Sequence, residues 1–319
     1  MARVLITGGS GFLGQHLAGN LRESHDVVIS SRNQKQLLSA SSHLGVASAP
    51  LDVSNYAATI ELFQRLKPQI VIHGAATKFV DLAEKYPNEA IDINIIGSQN
   101  VARAAMQTGV EHVIGISTDK AAAPIYNLYG MTKATMERLF VSLNRVTDTS
   151  FSIVRYGNVA WSTGSVFPIW KKMLDEKNHI VSTGPDMSRF FFSVSDAVTL
   201  VCAAFDNIDV VSGKILSLPM KGTELRRILD IWVESKNATW TLGERRPGDR
   251  DLEYLLSKNE AEVTQKIELS SKPYFLMDPT QKTPIQGGLT EEFSSLSAEQ
   301  FTDSELQDLI LTPPAVRFL

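Results

Sequence analysis

Short apolar runs alternate with amphipathic segments along the first half of the chain. Five of these runs are bounded by turn residues and predict buried parallel strands. They cover residues 3–7, 26–30, 46–51, 70–73 and 113–116. A helical pattern follows each run, and this alternation over about 140 residues predicts a doubly wound parallel sheet with right-handed crossovers. The fold class is therefore expected to be α/β and Rossmann-like.

The alternation ends after a sixth predicted strand at residues 151–155. Helical patterns recur at residues 193–205 and 221–235, with frequent turn residues between them. Near the end of the chain, Thr302 and Glu305 have the spacing of a reciprocal helix cap. That spacing predicts a last short helix.

This change of pattern divides the chain into two parts. We predict a first domain over residues 1–160 and a smaller second lobe with a tail over residues 161–319, some later segments of which return to the first domain. After about residue 259 the sequence is polar and contains Pro and Gly. The tail is expected to wrap the second lobe or a neighbouring subunit.

Composition and charge exclude several classes of protein. The chain has 319 residues and a formal net charge of −4, with Lys and Arg scattered along it, so we expect neither nucleic acid nor a membrane surface as partner. The single Cys202 excludes an internal disulfide and fits a reducing compartment. Because no apolar run approaches the ~20 residues of a membrane span, we expect a cytoplasmic protein. The dispersed histidines predict no metal site.

A glycine loop follows the first predicted strand. Gly8, Gly11 and Gly14 have the spacing G-x-x-G-x-x-G between that strand and an amphipathic helix. Such glycines let the backbone turn tightly and approach a pyrophosphate at the helix amino terminus. Phe12 and Leu13 are expected to pack inward beside them. The five residues are predicted to bind a dinucleotide.

The end of the second predicted strand indicates which dinucleotide is bound. Chains that select NAD usually have a carboxylate here for the ribose 2′-hydroxyl, whereas this chain has Ser30, Ser31 and Arg32. Hydroxyls and a guanidinium suit a 2′-phosphate. We therefore predict NADP as the cofactor, bound by Ser31 and Arg32. The alternative is that Arg32 is an ordinary exposed side chain at a strand end.

Two further strand ends are predicted to contact the same cofactor. Asp52 and Val53 follow the third strand, where Asp52 either accepts from the adenine amine or forms a local turn before the next helix. Both roles are compatible. Ala75 and Ala76 keep the loop after the fourth strand thin, and Lys78 in that loop is predicted to reach a phosphate or sugar of the substrate.

Two polar residues are predicted to lie inside the core. His73 ends the fourth strand and is interpreted as a packed core residue. Asn94 lies at the buried middle of a helix predicted around residues 89–106 and must find hydrogen-bond partners. It either braces the active-site strand or caps a local kink.

The fifth strand delivers the candidate catalytic residues. Thr118, Asp119 and Lys120 stand at its carboxyl end, where ligands of open α/β sheets bind. Ten residues after Asp119, Tyr129 and Lys133 lie one helical turn apart on one face of a helix. A phenol with a pKa near ~10 is a poor base at neutral pH, but an adjacent lysine cation favours the phenolate. This combination is typical of alcohol oxidation by a nicotinamide enzyme, and Tyr129 and Lys133 also belong to the predicted cofactor site.

The second lobe supplies the candidate substrate residues. Asn158 and Ser165 belong to a polar segment after the sixth strand. Arg189 and Arg246 are interpreted as loop cations that grip a diphosphate through charge-assisted hydrogen bonds. Glu253, in the same segment as Arg246, completes this predicted set. Each arginine taken singly also fits an exposed surface residue.

These motifs together resemble the extended short-chain dehydrogenase/reductase superfamily. Within it, the chain is similar to the polysaccharide-biosynthesis group of UDP-N-acetylglucosamine 4,6-dehydratases that invert C5. The resemblance covers most of the chain, because the family's motifs occur in its order. They read TGGSGFLG, SRN, HGAATKFV, ISTDKAAAP, NLYGMTK, VRYGNVAWSTGSVFP, SRFFFSVSDAV and RPGDRDLEY.

The resemblance implies a redox-neutral mechanism on a nucleotide sugar. Tyr129 with Lys133 takes the O4 proton as hydride passes from C4 to NADP⁺, and Thr118 bonds near O4. Lys120 then removes the acidified C5 proton, and Asp119 protonates the departing C6 hydroxyl. Hydride returns to C6, and C5 is reprotonated on its other face. Related dehydratases that retain C5 have Asp-Glu here, so Lys120 favours inversion; relatives also imply a homo-oligomer.

One departure and two alternatives accompany this hypothesis. The family pattern DKAANPINLYG is one residue shorter between Asp and Tyr than DKAAAPIYNLYG here, where Tyr126 is extra. A shift of ~1 Å at a catalytic group can cost ~10²-fold in rate.

The first alternative function is that of an NADP-dependent C4 epimerase or ketoreductase of a nucleotide sugar. The second is a non-catalytic NADP-binding regulator, which would be expected to lose part of the Thr118, Tyr129 and Lys133 set.

Overall fold

The computed structural model describes residues 1–314 of the chain. Its strands are β1 (Arg3–Thr7), β2 (Asp26–Ser31), β3 (Ala47–Pro50), β4 (Ile70–His73), β5 (His112–Thr118), β6 (Ser150–Tyr156), β7 (Asn158–Val159), β8 (His179–Ser182), β9 (Ser188–Phe192), β10 (Ile215–Ser217), β11 (Lys221–Glu224), β12 (Thr239–Leu242), β13 (Tyr254–Leu256), β14 (Thr264–Leu269), β15 (Lys272–Met277) and β16 (Phe293–Ser294).

The helices alternate with these strands in the first half and cluster between short strands in the second. They are α1 (Phe12–Leu21), α2 (Gln34–Leu44), α3 (Tyr56–Leu66), α4 (Val80–Lys85), α5 (Pro87–Ile91), α6 (Gly97–Thr108), α7 (Leu128–Leu143), α8 (Val166–Lys177), α9 (Val194–Asp206), α10 (Ile208–Val211), α11 (Leu225–Lys236), α12 (Lys258–Ala261) and α13 (Asp303–Leu311).

Nine strands form one sheet in the order β14-β15-β10-β6-β5-β4-β1-β2-β3. Neighbours from β3 to β10 pair in parallel, and β15 and β14 extend the sheet in antiparallel pairing. From β1 the chain winds outward through β2 and β3, then through β4, β5 and β6 on the other side. This is the doubly wound Rossmann order. The predicted fold class is therefore confirmed.

Helices cover both faces of this sheet. Successive side chains of a strand point to opposite faces. Leu5 of β1 accordingly packs in one apolar cluster with Phe63 of α3. Its neighbour Val4 packs in another cluster with Leu17 of α1 and Leu200 of α9. Because both faces are covered and every residue of β5 is buried, a ligand can reach the sheet only at the ends of its strands.

A separate apolar cluster organises the second lobe. Phe167 and Trp170 of α8, Trp232 of α11 and Leu306 of α13 are buried together. Two small sheets, in the orders β11-β9-β7 and β12-β8, contribute Phe191, Ile180 and Trp240 to it, whereas the β13-β16 sheet packs against the cluster of the main sheet. β7 follows β6 directly, so the second lobe begins at the carboxyl edge of the main sheet. β10, β14 and β15 also return to the main sheet from the later part of the chain.

The helix predicted around residues 89–106 is present and contains a π-helical turn. α5 and α6 are joined by this turn, Asp92–Ile96, without leaving helical backbone geometry. π turns inside helices reposition side chains and often occur near functional sites. The predicted helix with a buried Asn94 is therefore confirmed, and the π turn is a feature that the sequence pattern did not indicate.

The prediction for the tail was wrong over two strands. β14 and β15 form a hairpin, and β15 pairs with β10 at the edge of the main sheet instead of wrapping the second lobe. The last predicted helix is present as α13. Its cap is reciprocal, because Thr302 accepts from the Glu305 backbone while the Glu305 carboxylate accepts from the Thr302 N–H. Within the described residues, no helix combines the length and apolarity needed to cross a bilayer.

Candidate functional site

The glycine loop leaves no space for side chains. Gly8 has a φ of +71°, and a Cβ there would lie 2.7 Å from the backbone of Gly74. A Cβ on Gly14 would lie 2.6 Å from the Gly8 carbonyl oxygen. Gly11 is the N-cap of α1 and provides no side-chain cap, so the first N–H groups of that helix have no side-chain acceptor from the cap. This geometry suits a pyrophosphate.

Phe12 and Leu13 behave as the sequence predicts. Both are partly buried and pack against the apolar clusters under the sheet. Phe12 also contacts the ring of His16, with centroids 4.8 Å apart. They anchor the start of α1 below the glycine loop.

A cleft opens next to this loop. Of the predicted cofactor residues, it is lined by Gly8, Ser31, Arg32, Val53, Ala75 and Ala76, together with Thr7, Ser30, Leu51 and Ile93.

The polar side chains of the cleft fit a phosphorylated ribose. The Ser30 hydroxyl is buried and has no hydrogen-bond partner in the structure. Ser31 accepts from the Ser10 hydroxyl at 2.8 Å. The Arg32 guanidinium lies 3.5 Å from the Glu89 carboxylate, and both side chains are about half exposed. A free hydroxyl and a cation at the end of β2 therefore suit a dinucleotide that carries a 2′-phosphate.

Asp52 and Val53 have different roles. Asp52 Oδ1 accepts from the Ser54 N–H at 3.0 Å and from the Ser54 hydroxyl at 2.8 Å, which is the predicted local turn. Its contact with an adenine stays a prediction, and the N-cap of α3 is Asn55. Val53 lines the cleft and touches α6 so closely that a Cβ on Gly97 would lie 2.6 Å from it.

His73 is the packed core residue that the sequence predicts. It is fully buried, 2.8 Å from the Thr7 hydroxyl and 3.0 Å from the Ser98 hydroxyl. Burial, with a smaller contribution from the Lys133 charge, lowers the pKa of His73 to about 3. The imidazole is therefore neutral at physiological pH.

Asn94, in the π turn, connects two parts of the site. Its side chain accepts from the Thr77 N–H at 2.8 Å and donates to the Thr77 carbonyl at 3.0 Å. It also donates to the Thr132 hydroxyl at 2.9 Å. Asn94 thus braces the loop after β4 and the helix of Tyr129, rather than the active-site strand.

The carboxyl end of β5 carries a buried polar cluster. A short 3₁₀ turn places Asp119 and Lys120 beside Thr118, whose hydroxyl donates to Asp119 Oδ1 at 2.9 Å. Lys120 Nζ lies 3.1 Å from the same oxygen and 3.1 Å from Glu253 Oε1. Asp119 is completely buried, and its Oδ2 has no partner. One lysine therefore lies between two carboxylates.

The charges of this cluster are strongly coupled. Burial raises the pKa of Asp119; Lys120 opposes the rise, and Glu253 adds to it. Burial alone would lower the pKa of Lys120, but Asp119 and Glu253 together raise it above its usual value. In the structure Lys120 is accordingly an ammonium group at neutral pH.

Tyr129 has a different environment from the one predicted. Burial raises its pKa to about 12, while the Lys120 charge and a hydrogen bond with Thr118 oppose the rise. Burial also lowers the pKa of Lys133 to about 8, and Lys133 Nζ lies 3.2 Å from Met136 Sδ. The cation that opposes the rise in this structure is Lys120, and the effect of Lys133 on the phenol stays a prediction.

The extra residue near Tyr129 does not enter the site. Tyr126 is 66% exposed at the surface. The following Asn127 caps α7 by accepting from the Gly130 N–H at 2.8 Å, and it donates to the Gly248 carbonyl at 3.1 Å. The insertion is therefore absorbed in the loop before α7.

A second buried ion cluster, which sequence analysis missed, supports the site. Arg155 of β6 donates to both carboxylate oxygens of Glu137, at 2.9 and 2.6 Å, and to Glu260 at 2.9 Å. Glu137 also accepts from Ser117 on β5 at 2.5 Å. Glu137 lies one turn beyond Lys133 on α7, so the cluster joins β5, β6 and α7. In the sequence, the signal for this cluster is the charged Arg155 at the end of the apolar run FSIVR.

The predicted substrate residues separate into two groups. Arg189 lies on β9 and is buried, so its assignment to a loop was wrong; its Nε is 3.9 Å from Glu253. Arg189 and Glu253 thus join the polar cluster at β5. Arg246 is half exposed and pairs with Asp249 at 3.2 Å. Its contact with a diphosphate stays a prediction.

The remaining predicted substrate residues lie along the rim. Asn158 donates to the Phe190 carbonyl at 3.0 Å. The Ser165 hydroxyl at the start of α8 is buried without a partner. Lys78 is exposed, and its Nζ lies 5.6 Å from the ring centre of Phe79. Residues 1–314 contain no group of three or more His, Cys, Asp or Glu placed to hold a metal ion.

Known proteins are similar to this chain in both sequence and architecture. The model of the polysaccharide biosynthesis protein family matches residues 4–272. A UDP-N-acetylglucosamine 4,6-dehydratase (inverting) of Campylobacter jejuni is 34% identical over 293 aligned positions, 88% of this chain and 83% of the relative. A UDP-glucose 4-epimerase of Rickettsia rickettsii is 30% identical over 333 positions, 97% and 95% of the two chains. The X-ray structure of Pen from Bacillus thuringiensis has a TM-score of 0.89 at 28% identity and covers 97% of each chain. The resemblance found in the sequence is therefore confirmed.

Proposed function

The chain belongs to the polysaccharide biosynthesis protein family, and we propose that it is a nucleotide-sugar 4,6-dehydratase that inverts C5. UDP-N-acetylglucosamine is the favoured substrate. The observation that carries this proposal is the contact of Lys120 with Asp119 at 3.1 Å, beside Thr118 and Tyr129. Removing water β to a ketone requires a base at the α-carbon and an acid at the leaving oxygen. A simple reductase needs no such pair.

The cleft beside the glycine loop is assigned to NADP. Gly8, Gly11 and Gly14 would hold the pyrophosphate, and Ser31 and Arg32 would hold the 2′-phosphate. A bound nicotinamide cofactor would accept hydride from C4 and return it to C6, so no net reductant is consumed. A cytoplasmic location and a homo-oligomer remain part of the proposal.

Tyr129 is assigned the first proton transfer. In its phenolate form, Tyr129 would take the proton of the sugar O4 hydroxyl, while Thr118 hydrogen-bonds near that oxygen. Burial raises the pKa of the phenol to about 12 and so opposes the phenolate that this step requires. The Lys120 charge opposes this, which supports a site where phenol and lysine charges are coupled.

The Asp119–Lys120 pair is assigned the elimination. One proton moves from Lys120 Nζ to Asp119 Oδ1, leaving a neutral amine and a carboxylic acid. The amine then takes the C5 proton, and the acid protonates the C6 hydroxyl, which leaves as water. The pair ends as ammonium and carboxylate, as it began. The raised pKa of Asp119 favours the acid that this step requires.

A C4 epimerase is the second candidate, because the Rickettsia relative that aligns with 97% of this chain has that name. Epimerisation requires oxidation and reduction at C4 but no acid at the C6 hydroxyl. The two candidates therefore differ in the need for Asp119 and Lys120.

Proton NMR of the product separates the two candidates. Purified protein is incubated with UDP-N-acetylglucosamine and NADP⁺, without added reductant. A new C6 methyl signal supports the dehydratase, whereas a sugar inverted at C4 with an intact C6 hydroxymethyl group supports the epimerase. If the substrate is unchanged although NADP is bound, the choice of sugar is wrong, and a panel of nucleotide sugars is tested next.

A further inference from the structure

Glu253 lies among three cations inside the protein. Its side chain is 3.1 Å from Lys120 Nζ, 3.9 Å from Arg189 Nε and 4.0 Å from Arg250 Nη1. The residue is only 1% exposed. A buried carboxylate requires compensation by charge or by hydrogen bonds. Lys120, Arg189 and Arg250 supply that compensating charge.

The backbone holds Glu253 firmly in this position. Its N–H donates to the Ser295 hydroxyl at 3.1 Å, and its carbonyl accepts from the Ser295 N–H at 2.8 Å. Two residues later, the Leu255 carbonyl accepts from Arg155 at 3.0 Å. The buried cluster that joins β5, β6 and α7 thus also fixes the segment that carries Glu253.

Some polar atoms around Glu253 have no hydrogen-bond partner. Glu253 Oε2 and Arg250 Nη1 are both buried and lack one. Arg250 lies over the ring of Tyr254, 5.3 Å from its centre. The contacts of the carboxylate are charge contacts with neighbouring side chains, and the substrate contact predicted from the sequence stays a prediction.

We propose that Glu253 is a positioning residue that holds the Lys120 ammonium group in place, opposite Asp119, in the resting site. The proposal rests on the dehydratase function above, in which Lys120 moves a proton. The Lys120 Nζ atom lies 3.1 Å from each of two carboxylates, Asp119 and Glu253, which hold it at the end of β5. Glu253 does not need to touch the sugar to control the reaction.

The other charged or titratable groups that face Lys120 come from three elements. Asp119 lies next to it in the 3₁₀ turn, Arg189 faces it from β9, and Tyr129 faces it from α7. Without Glu253, Asp119 is the remaining carboxylate that contacts Lys120 within the described chain. Arg189 would then disfavour the ammonium form more strongly. Loss of Glu253 should consequently release the Lys120 proton more easily.

The charge state of Lys120 can be measured directly by ¹³C NMR. The full-length protein is labelled with [ε-¹³C]lysine, and the Lys120 resonance is assigned by its loss in Lys120→Arg. We expect the wild-type resonance to keep its ammonium position up to pH 10.5. In Glu253→Gln the titration should move down by about 1–3 pH units, as for loss of an adjacent opposite charge. Glu253→Asp keeps the charge and should stay near the wild-type profile.

Asp251→Asn is the matched control, because it removes an exposed carboxylate two residues away that pairs with Arg245. It should leave the Lys120 resonance unchanged. The proposal is overturned if Glu253→Gln and wild type titrate alike. It is also overturned, without any variant, if wild-type Lys120 titrates at the ordinary lysine value of ~10.4.

Kinetics distinguish positioning from substrate binding. A positioning role predicts that Glu253→Gln lowers kcat and shifts the acidic limb of its pH profile downward, with little change in KM. A substrate contact predicts a higher KM and an unshifted profile, which contradicts the proposal. If wild-type protein dehydrates no nucleotide sugar, the proposed function fails, while the NMR titration still reports on the Lys120–Glu253 contact.

Discussion

Gly130 of α7 lies directly against the backbone of Lys120. A Cβ on Gly130 would be 2.1 Å from the Lys120 carbonyl oxygen, closer than any real contact. This packing brings the start of α7 to the end of β5. Because Gly130 has no side chain, α7 can approach the Lys120 backbone closely, and this places Tyr129 near Lys120.

Gly130→Ala is therefore expected to separate the two catalytic elements. A displacement of ~1 Å predicts a fall of ~10²-fold in kcat. Steady-state kinetics with the active sugar measure the loss, and thermal unfolding measures stability. Gly19→Ala in α1 is the control, because its Cβ would meet only Leu44 at 3.5 Å, an ordinary contact. Equal kcat in Gly130→Ala and wild type would contradict this account of the packing.

The Arg32–Glu89 pair predicts opposite effects of two substitutions on cofactor affinity. Arg32→Ala should weaken NADPH binding by at least about tenfold and NADH binding much less, because a charge-assisted contact with the 2′-phosphate is lost. Glu89→Gln should strengthen NADPH binding by up to about fivefold, the range of an exposed ion pair. Fluorescence titration measures both. Equal losses for NADPH and NADH in Arg32→Ala would argue against a 2′-phosphate site.

The Arg155 cluster predicts a large loss of stability. Arg155→Met leaves the carboxylates of Glu137 and Glu260 buried without their cation, which typically costs about 3–5 kcal/mol. Urea unfolding measures the difference. Lys171→Met, which breaks the exposed pair with Asp175, should cost less than about 1 kcal/mol. Similar losses in the two variants would show that the buried cluster contributes little.

Two neutral histidines predict sensitivity to mild acid. Burial lowers the pKa of His73 to about 3 and that of His112 to about 4. An ordinary histidine has a pKa of 6.5, so below that pH the two histidines of the unfolded chain bind protons that those of the folded chain do not. The free energy of unfolding therefore falls as the pH falls. Each histidine should contribute a loss of about 1.4 kcal/mol per pH unit between pH 6 and 4. Urea unfolding at pH 7, 6 and 5 tests the slope, which His73→Gln should reduce.

Local patterns in the sequence predict much of the cofactor site and the catalytic pair. The glycine loop, the end of β2 and the Tyr129–Lys133 spacing each depend on residues within one strand–helix unit. Their positions therefore follow from the strand order of the sheet. Thr118, Asp119 and Lys120 were located in the same way, because a buried strand ends there.

Contacts between distant segments could not be predicted in this way. Glu253 and Lys120 are 133 positions apart in the sequence, and the local hydrophobic pattern gives no information about a contact between them. The pKa of Tyr129 depends on burial and on the Lys120 charge, which the Tyr-x-x-x-Lys spacing does not reveal. The β14–β15 hairpin turns at Ser270 and Ser271, both with positive φ. Tight hairpin turns usually contain Asn-Gly or Asp-Gly, so this turn gave no signal.

The central claim is that Lys120 moves the proton at C5, and one measurement tests it directly. Wild-type protein and Lys120→Ala are each incubated with UDP-N-acetylglucosamine and NADP⁺ in D₂O, and deuterium at C5 is measured by NMR. The account predicts a wild-type product with deuterium at an inverted C5, and a Lys120→Ala variant that binds NADP normally but takes up no deuterium there. Uptake of deuterium at C5 by Lys120→Ala at the wild-type rate would contradict it.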